Sequence, residues 1–154
     1  MGMSPKRINE YKRCVLLVVC LLFTKAVCSA GEYLGPEEML FVSSDELCIL
    51  ERDASRLDFF SLAEKKVTRS IPLAQTPNRL SLCGNRLFVT CGDLNGEVLE
   101  IDLPTLTITR RWTGIHSPWG VACAEKRGLL CVGRRFHGDV LLFDLNQIQI
   151  GKRR

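Results

Sequence analysis

Two histidines, His116 and His137, are the chain's whole supply of the side chain best suited to proton exchange near neutrality. Each sits among ring and basic residues, in His116-Ser117-Pro118-Trp119 and in Arg135-Phe136-His137. Asp93 and Asn95 add a carboxylate and an amide from a Gly/Asn-rich loop. Together Asp93, Asn95, His116, Trp119, Arg135, Phe136 and His137 form the candidate ligand-binding set, since recognition residues concentrate on loops carried by a rigid scaffold. The plainer reading of the same residues is a tryptophan packed between structural units and histidines solvated in loops. Catalysis has no comparable support. The nucleophile elbow Gly-x-Ser-x-Gly is absent, as are His-x-x-x-His pairs and Gly-rich phosphate loops. Without a Cys-x-x-Cys pair, neither zinc nor covalent haem is implied. No catalytic residue, metal or cofactor is expected from the sequence.

These loops recur. Residues 84–103, GNRLFVTCGDLNGEVLEIDL, return in outline as 127–145, RGLLCVGRRFHGDVLLFDL. Gly96-Glu97-Val98-Leu99 aligns with Gly138-Asp139-Val140-Leu141 at an offset of 42 residues, and the same offset carries Asp102 onto Asp144. Pro77 and Pro118 are 41 apart. A period in the low forties is the signature of a four-stranded propeller blade. The expected fold is therefore all-β: a propeller of antiparallel four-stranded blades, about three of them, in an incomplete ring. The recurring Asp102 and Asp144 are expected to cap strand-to-strand turns, their carboxylates accepting backbone N–H bonds, rather than to catalyse.

Blades are expected at about 38–75, 76–116 and 117–151. In the first, the strands are Met39 to Val42, Leu47 to Leu50, Leu57 to Leu62 and Val67 to Leu73, with Ser61 where the other units have aspartate. Pro72 confines the last of these to an edge. The second unit runs Arg79 to Cys83, a two-residue turn at Gly84-Asn85, Arg86 to Thr90, Glu97 to Asp102 and Thr107 to Trp112. The third runs Gly120 to Ala124, Leu129 to Val132, Asp139 to Asp144 and Gln147 to Ile150. Loops before the first strand and between the second and third of a blade commonly open on one face of a propeller, which is what would bring the seven candidates together.

The run Ser117-Pro118-Trp119-Gly120-Val121-Ala122, an apolar strand, and Gly138-Asp139-Val140-Leu141-Leu142-Phe143-Asp144 resembles the YVTN-type (YncE-like) propeller repeat. In the second unit the matching residues are Pro77 to Ser81, Phe88-Val89-Thr90-Cys91 and Gly96 to Asp102. The likeness covers most of 76–145 and, more weakly, 38–75; Cys91 and Gly133 stand where that repeat usually has asparagine. The resemblance implies a blade architecture and leaves function open, because similar propellers include surface and periplasmic proteins, lactonases and dehydrogenase subunits.

The first thirty residues read as a secretory signal peptide, with cleavage expected after Ala30. Lys6, Arg7, Lys12 and Arg13 precede ten consecutive apolar residues, and Cys28-Ser29-Ala30 supplies small residues before Gly31. Ten residues fall short of the roughly 20 that span a bilayer. No lipid anchor is expected at Cys20 or Cys28, each preceded by valine, nor at the N-terminus, where Lys6 breaks the myristoylation pattern. Five basic residues and one acidic residue lie in that leader, so the remainder carries sixteen of each, and the net +4 of the whole chain belongs to the leader. No nucleic-acid partner is therefore expected. Five cysteines follow the leader: Cys48, Cys83, Cys91, Cys123 and Cys131. Export permits pairing, but each lies in or beside an apolar strand, so buried thiols are the expectation. Bridging within a blade is ruled out for Cys83 and Cys91, five positions out of register.

Three blades leave two apolar sheet faces without neighbours. The favoured reading is a fragment of a longer propeller; the alternative partner is a second copy joined head to tail into a six-bladed ring. The expected protein is secreted or periplasmic, a non-catalytic module for binding or protein interaction. The alternative is the N-terminal part of a propeller enzyme, a lactonase or dehydrogenase subunit, whose catalytic residues lie outside this chain.

Overall fold

The computed structural model describes residues 34–146 and the backbone of 150–152. The expected leader, residues 1–30, and its cleavage point lie outside the described residues.

Short runs of alternating or continuous apolar side chains produce strands, in three antiparallel sheets among the described residues. The first contains β1 (Pro36–Phe41), β2 (Glu46–Glu51), β3 (Arg56–Ser61) and β4 (Lys66–Pro72). The second contains β5 (Pro77–Cys83), β6 (Arg86–Cys91), β7 (Gly96–Asp102) and β8 (Thr107–Ile115). In the third, β9 (Pro118–Ala124), β10 (Leu129–Arg134) and β11 (Val140–Asp144) are followed by β12 (Ile150–Lys152). Each sheet is a meander in chain order. The last strand lies further along than the expected Gln147 to Ile150: Phe143 pairs with Ile150 and Leu141 with Lys152, and 147–149 lie outside the described residues. The remaining boundaries agree or move by at most three residues. Among the described residues the only helical element is a single 3-10 turn, Glu125–Arg127.

Turn chemistry follows the repeat. Cys83 pairs with Arg86, so Gly84-Asn85 is a two-residue hairpin. Asp102 accepts from the Thr105 amide at 3.1 Å and the Thr105 hydroxyl at 2.6 Å, and Asp144 accepts from the Asn146 amide at 2.8 Å. Ser61 does the same work for the Glu64 amide at 3.1 Å, which explains why a hydroxyl suffices there.

Two cores lie between the sheets. Leu50, Leu57 and Phe59 of the first sheet meet Leu80, Leu87, Val89, Leu99 and Ile101 of the second. The opposite face of that sheet, Phe88, Val98 and Trp112, meets Leu130, Val132, Leu141 and Phe143 of the third. Trp112 ring-packs on Phe143 at 5.4 Å between centroids. The middle sheet thus buries both faces, the reason its central strands read as nearly continuous apolar runs. The first sheet buries one face and leaves Met39 60% and Phe41 58% exposed on the other. Strand register places Met39, Ile49 and Phe60 where the second sheet has Leu80, Val89 and Ile101. Asp58 occupies the position of Leu99, buried there by Arg56 Nε at 3.0 Å and the Ser70 hydroxyl at 2.6 Å.

The innermost strands of neighbouring sheets are also tied directly. Glu38 accepts from the Leu80 amide at 2.7 Å and Ser81 from the Cys123 amide at 3.1 Å, each a link across 42 residues. Here the expectation of thiols alone fails: Cys83 and Cys123 form a disulfide, with Cα atoms 5.8 Å apart. The obstacle to pairing within a blade is real, but the ends of β5 and β9 lie side by side in adjacent sheets and bring the two cysteines together. Cys48, Cys91 and Cys131 are free.

Candidate functional site

The site is assembled by one backbone bond made three times. The residue after each sheet's second strand donates to the residue before its proline: Arg52 N to Gly35 O at 2.9 Å, Gly92 N to Thr76 O at 2.8 Å, and Arg135 N to Ser117 O at 2.9 Å. The residue after each proline, Glu37, Asn78 or Trp119, sits beside an irregularity in the ladder. Such bulges re-aim a side chain out of the pleat. Two post-proline residues, Asn78 and Trp119, and the three residues after the second strands, Arg52, Gly92 and Arg135, therefore converge from the three sheets.

Their convergence lines a cavity of about 170 Å³ with Arg52, Thr76, Asn78, Gly92, Asp93, Trp119 and Arg135. Asn78 is 2% exposed and binds in three directions. Its Nδ2 donates to Gly92 O at 2.7 Å and Pro118 O at 2.9 Å, and its Oδ1 accepts from Arg52 at 2.8 Å. Two carbonyls facing one end of the amide fix which atom is nitrogen. Arg52 donates further to Pro77 O at 3.3 Å. The Trp119 ring has three guanidiniums against it, Arg135 at 4.3 Å, Arg79 at 4.9 Å and Arg52 at 5.4 Å from the centroid; cations favour the negative face of an indole. Arg79 is paired with Glu37 at 2.9 Å. Among the described residues Arg52 and Arg135 form no ion pair. Gly92 has φ +77°, and a Cβ there would come within 2.9 Å of the Gly96 backbone, so only glycine fits this wall.

Beside the cavity runs a chain of polar contacts. Ser117 donates to Asp93 Oδ1 at 3.2 Å, His116 Nδ1 lies 3.1 Å from the Ser117 hydroxyl, and His137 Nε2 lies 2.9 Å from the same Nδ1. With Asp93 ionised, the Ser117 proton is committed to it, and the network is satisfied when His116 Nδ1 carries a proton shared between Ser117 and His137. Ser117 is buried and spends its proton on Asp93, an arrangement unlike that of a nucleophile poised against a base. Among the described residues no group of three or more His, Cys, Asp or Glu gathers as a metal site.

Of the seven residues selected from the sequence, Asp93, Trp119 and Arg135 line the cavity, and His116 and His137 meet beside it. Phe136 is exposed, with Arg135 5.4 Å from its ring centroid. Asn95 is exposed on the loop after β6. Neither Phe136 nor Asn95 reaches the cavity wall. Sequence reasoning missed Arg52, Thr76, Asn78 and Gly92. Their signal was positional: Asn78 and Trp119 both follow the repeated proline, and Arg52, Gly92 and Arg135 share the place after the second strand.

No protein-family model matches the chain. Antigen Lp49 of Leptospira interrogans serogroup Icterohaemorrhagiae serovar copenhageni is 28% identical over 94 residues, 51% of this chain and 21% of that protein. Among solved structures, hydrazine synthase of Kuenenia stuttgartiensis matches with a TM-score of 0.68 at 14% identity, covering 82% of this chain and 37% of that one. The β-propeller domain of Myceliophteria thermophila Cps50 (Swd1) matches at 0.63 and 16% identity, over 75% and 38%. The WD40 domain of Neurospora crassa Pan2 matches at 0.55 and 14%, over 72% and 36%. The three sheets are propeller-like blades. At these identities the likeness concerns the fold alone, and the chain spans between a fifth and two fifths of these proteins.

Proposed function

We propose that this chain is an exported binding module of YVTN-like propeller type, and that its ligand or partner engages the cavity where the three blades meet. The observation that carries this reading is the convergence of Arg52, Asn78, Trp119 and Arg135 from three sheets on one small cavity. Such concave sites with a few placed polar groups are where scaffolds bind ligands. Export is supported by the Cys83–Cys123 disulfide, a bond that persists in oxidising compartments. The apolar face of the first sheet calls for a further blade, from more of the same chain or from a second copy. Ligand screening by NMR on the purified chain tests the reading: hits whose shifts vanish in Trp119→Ala support it. Turnover of a lactone or ester that appears only when the chain is joined to further blades, and is undiminished in that variant, would instead favour the enzyme alternative.

A further inference from the structure

Resting on the reading of this cavity as a binding site, we infer that it takes a small oxyanion, a carboxylate or phosphate group, held by Arg52 and Arg135. Charge is the first reason. The lining contains two guanidiniums and one carboxylate, Asp93, and that carboxylate accepts from Ser117. Arg79, the third guanidinium at the tryptophan, already has Glu37. Among the described residues one positive charge therefore remains uncompensated in the wall, and planar guanidinium forks match oxyanions in geometry as well as sign.

Preorganisation is the second. Arg52 is oriented by two neutral acceptors, Pro77 O and Asn78 Oδ1, of which the second belongs to a buried side chain fixed on its other side by two carbonyls. Arg135 lies against Trp119 at 4.3 Å and uses none of its guanidinium N–H groups in a hydrogen bond among the described residues. Positioning these long side chains before a ligand arrives lowers the ordering cost of binding. Size is the third: a cavity of about 170 Å³ accommodates a small anion such as acetate, glycolate or phosphate. Asp93 on the wall then favours an anion that also carries a donor, such as a 2-hydroxy or 2-amino acid.

The test is calorimetric titration of the full chain, prepared with its disulfide, using acetate, glycolate, inorganic phosphate and acetamide as probes. Binding of one or more of the three anions, without acetamide, is expected. Glycolate above acetate marks a carboxylate ligand with a donor; phosphate above both marks a phosphate source. Arg135→Gln, at an exposed position and checked for an unchanged melting temperature, should weaken the anion roughly tenfold or more, with Arg135→Lys between the two. Arg127→Gln, in the 3-10 turn, should leave it unchanged. Equal binding in Arg135→Gln, or acetamide binding as well as acetate, overturns the inference. If neutral compounds bind and Trp119→Ala removes them, the binding module stands and the anion assignment falls; if no compound binds, both fall.

Discussion

Replacing Asn78 with alanine should cost more stability than any other single polar change near the cavity. The side chain is 2% exposed and supplies two donors and one acceptor to three different segments. Its loss leaves Gly92 O and Pro118 O without that partner and frees Arg52 from its shortest bond. At about 1 kcal/mol for each carbonyl and about 1–3 kcal/mol for the bond to a charged group, the loss is about 3–5 kcal/mol. Against a total stability of about 5–15 kcal/mol this is a large share, equivalent to a fall in melting temperature of about 12–20 °C for a unit of this size. Urea denaturation followed by tryptophan fluorescence measures it directly. Asn78→Asp keeps the shape but turns an acceptor toward two carbonyls, so its loss should equal or exceed that of alanine. A double-mutant cycle with Arg52→Gln should give a coupling of about 1 kcal/mol or more. A loss under about 1 kcal/mol for Asn78→Ala, with an unchanged m-value, would refute the idea that this amide ties the three blades together.

Four further outcomes are expected. Removing the disulfide with Cys83→Ser and Cys123→Ser frees a 40-residue separation and should lower stability by about 4 kcal/mol on the loop-entropy model; equal denaturation midpoints with and without reductant would contradict it. Burial pushes the Cys48 and Cys91 thiols from 9.0 up to about 12, so native-state alkylation at neutral pH should label Cys131 and spare both, as read by mass spectrometry. Because the folded state holds those protons more tightly, their contribution is complete below about pH 9 and is lost as pH rises toward about 12, with stability falling over that window. Met39→Lys and Phe41→Lys, on the open face of the first sheet, should change the stability of the isolated chain by less than about 0.5 kcal/mol. The same changes should abolish association with a second copy or a neighbouring blade, followed by light scattering.

Much of the architecture is readable along the chain because strand formation and turn capping are local. Leu87 and Phe88 are adjacent and point to opposite faces, so the apolar run Leu87-Phe88-Val89 already implies a strand covered on both sides. Asp102, Asp144 and Ser61 fall at one repeat position, and their role as turn caps follows from the reach of a short polar side chain to amides two or three residues on. The loops holding His116 and His137 belong to classes that open on one face, and the two rings do meet at 4.6 Å between centroids.

Period and alternation thus establish the strands, their order and the faces they present, since these depend on residues close together in the chain. The approach of one blade to the next supplies the rest: the Cys83–Cys123 bond, the placement of Asn78 between Arg52 and Pro118, and the gathering of three guanidiniums around Trp119. Those contacts join residues 16 to 67 positions apart, and they depend on the spacing and rotation of packed sheets, quantities that no local pattern of side chains encodes.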